Sequence, residues 1–298
     1  MISLASLLGL VRLVHPFPSL LCASATGAIA ALAAAEPTTI VRLSLAMLAI
    51  QVSIGALNDL VDAPLDALQK PRKPIPSGLV SRRLAGAVAL AGAGVGITLS
   101  GVSGPATAVA GLAGLGLGYT YDLRLSRTVL SWLPLALALP LLPIHAWLGA
   151  TGVIPSGLVT LVPVAVLGGA GLALANGLVD IDRDASVGRR AGAVALGRRW
   201  AWILQTLLVA TAAGLAVVIA PAVPADAAGT DLGVLRLLRT LGVALGTAVM
   251  PLGVLALASG RATVRERGWE LEAIAVACLG VGWLAGTAAA VGGGGPGA

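Results

Sequence analysis

The chain has 298 residues, 57% of them hydrophobic and only 11% charged, with 40 glycines, a mean hydropathy of +0.96 and a formal net charge of +6. This composition excludes an ordinary soluble domain and marks an integral membrane protein. The basic residues form short clusters between apolar runs, which suits topology and phosphate binding, and no nucleic-acid partner is expected.

Apolar runs of bilayer-spanning length, roughly 20 residues each, recur along the whole chain and show no strand alternation. Backbone groups in lipid must be satisfied within a segment, so the expected fold class is all-α, a polytopic membrane helical bundle. Nine transmembrane helices are expected, near 16–35, 38–58, 84–101, 104–121, 129–149, 155–178, 199–220, 236–259 and 268–291, forming one domain over 1–298. Many are rich in Gly and Ala, which lets helix backbones approach closely in lipid. The start lacks a basic stretch followed by an A-x-A site, so the first span is expected to act as its own insertion signal. The tail from Gly292 to Ala298 is expected to fray. Cys22 and Cys278 lie in apolar runs without metal or redox spacing and read as small hydrophobes.

Lys and Arg accumulate on the cytoplasmic side of membrane proteins. With nine spans and the N-terminus inside, 16 of the 19 fall on inner segments and only Arg42, Arg236 and Arg239 fall outside. The expected location is the cell membrane, with the long loops cytoplasmic.

Two stretches stand out at the inner ends of spans two and six. Asn58-Asp59-Leu60-Val61-Asp62-Ala63-Pro64-Leu65-Asp66 and Asn176-Gly177-Leu178-Val179-Asp180-Ile181-Asp182-Arg183-Asp184 repeat Asn, Leu, Val and Asp in the same register and contain six of the chain's 13 acids. They lie 118 residues apart with four spans between corresponding ends, so they share one orientation, as a pseudo-repeat around 38–121 and 155–259 would require. On a helix, residues four apart share a face, as Asn58, Asp62 and Asp66 do, and Asn176, Asp180 and Asp184. Pro64 is expected to break the first helix, leaving Asp66 on a loop or a short following helix. Asp59 is close to that face, but its counterpart Gly177 has no side chain.

Converging carboxylates repel one another unless a cation neutralises them. Hard oxygen ligands without a Cys or His cluster select Mg²⁺, or Mn²⁺, over Zn²⁺. Mg²⁺ completes its shell with water and substrate phosphate, and bases follow each stretch: Lys70, Arg72 and Lys73, then Arg189 and Arg190. A diphosphate held between metal and cations is the expected ligand. A solvated loop carboxylate or a topological arginine is the ordinary reading of any one of these residues; two matched patterns at helix ends argue for a shared role.

Asn58-Asp59-x-x-Asp62-x-x-x-Asp66 followed by Lys70-Pro71-Arg72-Lys73-Pro74-Ile75-Pro76-Ser77-Gly78 resembles the first signature of the UbiA superfamily of intramembrane prenyltransferases. Asp180-x-x-x-Asp184, with Gly188 and Ala195-Leu196-Gly197 beyond it, resembles the second. The resemblance implies a central cavity capped by cytoplasmic loops. It also implies transfer of an isoprenyl group from a prenyl diphosphate to an aromatic or glycerophosphate acceptor, with the cavity opening sideways to membrane lipid. By position it implies Asn58, Asp62, Asp66, Asp180 and Asp184 as Mg²⁺ ligands with Asp59 as an accessory. The four aspartates Asp62, Asp66, Asp180 and Asp184 would be central to catalysis. Lys70, Lys73, Tyr119, Arg124, Arg127, Arg189 and Arg190 would serve the diphosphate. Lys73 stands where many members have Arg, and Asp122 departs from the family's pattern.

His15, before Pro16 at the first membrane boundary, reads as an interfacial residue with substrate contact as the alternative; His145, in span five, reads as structural. Trp132, Trp200, Trp202 and Trp269 fall near span ends, where Trp anchors at the interface. A terpene cyclase would use the same diphosphate site without an acceptor. A cation- or proton-coupled transporter would need acids deep in the helices, and Glu272 is the one candidate.

Overall fold

The computed structural model describes residues 4–223 and 230–293, and among these it is all helical. In chain order the helices are α1 (Leu4–Leu13), α2 (Pro16–Leu32), α3 (Pro37–Gln69), α4 (Arg82–Val102), α5 (Pro105–Thr120), α6 (Leu133–Thr151), α7 (Ser156–Val179), α8 (Ile181–Ser186), α9 (Gly192–Val218), α10 (Thr230–Leu257) and α11 (Ala262–Gly293). A π-helical turn, Tyr121–Leu125, follows α5. Gly292 and Gly293 close α11, and the rest of the tail lies outside the described residues.

Local chemistry sets many of these boundaries. Pro stands in the first turn of α2, α3, α5 and α6, where its missing N–H costs nothing. The Ser81 side chain caps α4 by accepting from Leu84 N at 3.1 Å. Pro64, by contrast, does not end α3, which runs on to Gln69. A proline inside a helix forfeits one backbone bond, but Pro64 is exposed and the turn beyond it is held by the bond from Lys70 N to Asp66 O, 2.7 Å. Asn58, Asp62 and Asp66 therefore lie on one continuous helix, contrary to the sequence expectation.

Among the described residues, seven helices are long and apolar enough to cross a membrane: α3, α4, α6, α7, α9, α10 and α11. The bent pair α1 and α2, angled at 58°, would make eight. The expected span at 104–121 is the helix α5, but its 16 residues reach only about 24 Å at 1.5 Å per residue, short of the hydrocarbon thickness. The chain is an integral multi-pass membrane protein.

Helices adjacent in sequence pack side by side, and α11 returns against α2 and α7, closing the ring. Inside lies an apolar cavity of about 250 Å³, walled mainly by Leu, Val and Ala, with Gln51 a rare polar group and Phe17 and Trp269 stacked edge to face at 5.6 Å. Two of the four tryptophans expected at the interface thus turn inward: Trp269 lines the cavity, and Trp202 donates to Val254 O at 2.9 Å. Trp200 is exposed. His145 is buried, its Nε2 2.9 Å from Ser100 Oγ, and ties α6 to α4.

The α10–α11 pair shows why glycine is abundant. A Cβ on Gly242 would lie 2.6 Å from Cys278 O and 2.7 Å from Gly282 Cα, both backbone atoms that cannot swing aside. Gly242→Val is expected to cost about 2 kcal/mol through overpacking, read as a lower thermal midpoint of the detergent-purified protein.

Candidate active site

Both acidic stretches open at the same end of the bundle, and one arginine joins them. Arg189 Nη2 donates to Asp62 Oδ1 at 2.7 Å, and its Nη1 lies 3.4 Å from Asp184 Oδ1. Gly188 makes this possible: its φ of +70°, which side chains disfavour, turns the chain after α8 so that Arg189 comes back over Asp184. A second link runs from the other side, Lys70 Nζ to Asp180 Oδ2 at 3.0 Å, with Arg183 on the other oxygen of Asp180. Residues 110 or more apart in sequence thus share counter-charges within one cluster.

The segment after α3 is knotted onto the same cluster. Lys73 Nζ lies 2.7 Å from Asp59 Oδ1 and 2.9 Å from Asp66 Oδ2. Its backbone N–H donates to Lys70 O and its carbonyl accepts from the Ser77 N–H and hydroxyl. Asp59, expected as an accessory to the metal ligands, is buried at 2% exposure, and its Oδ1 also takes His15 Nε2 at 3.0 Å. His15 sits at the bend between α1 and α2 with φ +48°. Asp59 is therefore the anchor of Lys73 and His15.

Asn58 donates from Nδ2 to Asp122 Oδ1 at 3.0 Å. Burial raises the Asp122 carboxyl to about 7, and the nearby Asp62 and Asp59 add to this against the bond from Asn58. Lys70 is pushed down to about 8 by burial first, then by Arg183 and Lys73, with Asp66 and Asp62 opposing. For Lys73 burial acts downward, yet Asp59 and Asp66 together carry its ammonium above the ordinary range. Asp184 rises through burial and Asp62, against Arg189, Lys70 and Arg183.

Of the other expected phosphate ligands, Arg127 lies 3.4 Å from Asp62 and, with Arg189 and exposed Arg190, lines a cleft of about 550 Å³. Arg124 is exposed. Tyr119 is occupied elsewhere, its hydroxyl 2.8 Å from Ser53 Oγ. The tyrosine within electrostatic reach of the acids is Tyr121: burial first, then Asp122, Asp184 and Asp62, push its hydroxyl up to about 12. Sequence reasoning named Tyr119 and missed Tyr121, which opens the π-helical turn two residues on. It also missed Arg183, which lies inside the second motif and was visible there.

Among the described residues, no three side chains of His, Cys, Asp and Glu gather to hold a metal by themselves. Each motif carboxylate instead has a basic partner: Asp62 and Asp184 share Arg189, Asp66 has Lys73, and Asp180 has Lys70 and Arg183. The donor set still suits a hard divalent ion that keeps water and substrate oxygens in its shell, because carboxylates from both motifs converge on one cation, the Arg189 guanidinium.

Comparison with known proteins bears on the fold and the family. The fold matches the solved structure of a UbiA homolog from Archaeoglobus fulgidus bound to GPP and Mg²⁺, with TM-score 0.68 and 17% identity over 94% of this chain and 99% of that one. It also matches the apo structure of a UbiA homolog from Aeropyrum pernix K1, with TM-score 0.64 and 20% identity over 92% and 97%. A digeranylgeranylglyceryl phosphate synthase from Metallosphaera sedula is 36% identical over 69 residues, 23% of this chain, and the match spans only about a quarter of that relative's length (24%). The family model described as the UbiA prenyltransferase family matches residues 19–249, the greater part of the chain including both acidic stretches, and the protein belongs to that family.

Proposed function

We propose that the chain transfers an isoprenyl group from a prenyl diphosphate to an acceptor within the membrane, and that the two acidic stretches bind the diphosphate through Mg²⁺, with Mn²⁺ able to replace it. The observation that carries this reading is Arg189, held between Asp62 and Asp184 of the two motifs. A slot that collects carboxylates from both halves of the chain around one cation suits a divalent ion with a diphosphate. Asp62, Asp66, Asp180 and Asp184 would hold the metal, with the Asn58 amide beside them; Asp59 is left to anchor Lys73. Bound Mg²⁺ would supply Lewis-acid stabilisation of charge on the diphosphate.

The chain's own groups then divide the work. Lys70, Lys73, Arg127, Arg189 and Arg190 neutralise the departing diphosphate, where electrostatic stabilisation acts most strongly. Lys70, lowered to about 8 by burial and by Arg183 and Lys73, is held more firmly in its charged form by an arriving anion. The C–O bond to the diphosphate breaks, and a nucleophilic carbon or oxygen of the acceptor captures the allylic carbon and loses its proton. The apolar cavity keeps water from that carbon and suits the isoprenoid tail.

The acceptor is an aromatic or a glycerophosphate lipid. The Metallosphaera sedula relative's name supports the second, and so does a cleft that joins three arginines to the apolar Val61 and Leu65. We further propose one domain of nine spans, with α2 and α5 completing the seven longer ones and the acidic end cytoplasmic, as the 16 of 19 basic residues on that side support. The repeated acidic register supports a pseudo-repeat of the two halves. Transport is disfavoured because Glu272 is fully enclosed, with the side-chain amide of buried Gln205 beside its carboxylate.

The test is incubation of the purified protein with Mg²⁺, labelled prenyl diphosphates and a panel of phenolic and glycerophosphate acceptors. Prenylated acceptor, lost on chelation, is the expected product. A cyclised hydrocarbon formed without acceptor would show a cyclase, and no consumption of any donor would overturn the reading.

A further inference from the structure

The second acidic stretch is presented by a break in the chain. Helix α7 stops at Val179, Asp180 leaves helical geometry at φ −101° and ψ 6°, and α8 begins at Ile181. A helix end leaves its last carbonyls without partners, and this one lies inside the protein, with Leu178 and Ile181 both buried. Arg265 of α11 meets that need. It is 1% exposed, and its Nε donates to Leu178 O at 2.6 Å and its Nη2 to Val179 O at 3.1 Å. The same Nη2 reaches Asp182 Oδ2 at 2.9 Å, and Nη1 donates to Ser259 O and Gly260 O, each at 3.0 Å.

A buried guanidinium is tolerated only when its donors are satisfied, and here all three nitrogens are. Its charge also stands at the C-terminal end of α7, where a cation is favoured. Asp182 carries the connection outward: both its oxygens accept from Arg198 Nη2, at 2.5 and 2.7 Å, while Arg198 Nη1 donates to Ser259 O at 3.2 Å. Arg265 thus gathers the end of α7, the short α8 and the turn between α10 and α11, and Asp182 with Ser259 O adds the first part of α9 through Arg198. Asp182 lies midway between Asp180 and Asp184 in a helix of only six residues. Fixing Asp182 fixes the directions of both neighbours.

We propose that Arg265 is a positioning residue: through the α7 carbonyls and Asp182 it sets the geometry in which Asp180 and Asp184 meet the metal–diphosphate ligand. It touches no substrate. This rests on the reading that those two aspartates bind the divalent ion.

The experiment compares wild type, Arg265→Met, Arg265→Lys and Asp182→Asn in two ways: half-saturating Mg²⁺ for prenyl diphosphate turnover, and binding of Mn²⁺ with inorganic pyrophosphate, followed by electron paramagnetic resonance. Arg265→Met is expected to raise half-saturating Mg²⁺ and weaken Mn²⁺–pyrophosphate binding about tenfold, as loss of an outer-sphere partner does. Arg265→Lys keeps the charge without the fork and should recover only part of this. Asp182→Asn should shift both readouts in the same direction by less, and add little to Arg265→Met, since both act through one contact. The Asp182 side chain is 63% exposed, so its variant folds and decides the matter should Arg265→Met not fold. Both readouts within about twofold of wild type in the folded variants, with only thermal stability reduced, would overturn the proposal. Absence of divalent-dependent binding in wild type itself would instead bring down the underlying reading, and this inference with it.

Discussion

Asp62→Ala is expected to lower divalent-dependent turnover of a prenyl diphosphate at least about a hundredfold, in the range found when one strong electrostatic contributor is removed from a charged transition state. Asp62 is the carboxylate of the first motif that meets the second, through Arg189 at 2.7 Å, and it also takes Arg127 at 3.4 Å. Its removal deletes a proposed metal ligand and frees two guanidinium groups. The loss should therefore fall on kcat as well as on donor KM, because the stabilised charge grows as the C–O bond breaks. Asp62→Glu should recover little, since a longer arm displaces the oxygen within a crowded cluster. Steady-state kinetics across a Mg²⁺ series checks this; unchanged kcat with only a raised donor KM would place Asp62 in substrate binding alone.

Lys73→Met is expected to be the most destabilising change at the site, by about 3 kcal/mol, because it strands buried carboxylates without their cation. Asp59 and Asp66 side chains are 3% and 8% exposed, and Lys73 Nζ lies within 2.9 Å of both. The sign of a second change tests the cause. Asp59→Asn alone should destabilise the protein, whereas Asp59→Asn in the Lys73→Met background should restore part of the loss by removing an uncompensated charge. Thermal unfolding of the four proteins in one detergent gives the cycle, and a double variant less stable than Lys73→Met would contradict an electrostatic origin. His15, hydrogen-bonded to the same Asp59 oxygen, explains why Asp59 retains a partner in the single variant.

Several features of this arrangement could be read in the residues themselves. The four-residue spacing of Asn58, Asp62 and Asp66, its echo at Asn176, Asp180 and Asp184, and the bases that follow each set are local patterns, and the structure brings Asp62 and Asp184 to one guanidinium. Helices lie where sustained apolar runs place them. What escaped is chiefly long-range. Arg265 counted only as one more basic residue between spans, because its partners at Leu178, Val179 and Asp182 lie more than 80 residues away. The His15–Asp59–Lys73 anchor joins three segments that no local pattern relates. Pro64 misled for a different reason: proline is judged by the hydrogen bond it loses, while the bond from Lys70 N to Asp66 O and the ion pair of Lys73 with Asp66 hold the turn beyond it, and α3 stays helical through that position. The π-helical turn after α5, which Tyr121 opens near the acids, is likewise a local geometry invisible to composition.

Binding of Mg²⁺ with a non-hydrolysable prenyl diphosphate analogue, followed by calorimetry in wild type, Asp62→Asn, Asp184→Asn and the double variant, tests most directly whether the two stretches make one site. One analogue bound per chain, at least about tenfold weaker in either single variant and hardly weaker again in the double, is the expected result. Full-strength binding in either single variant would mean that the acids of α3 and α8 do not act together.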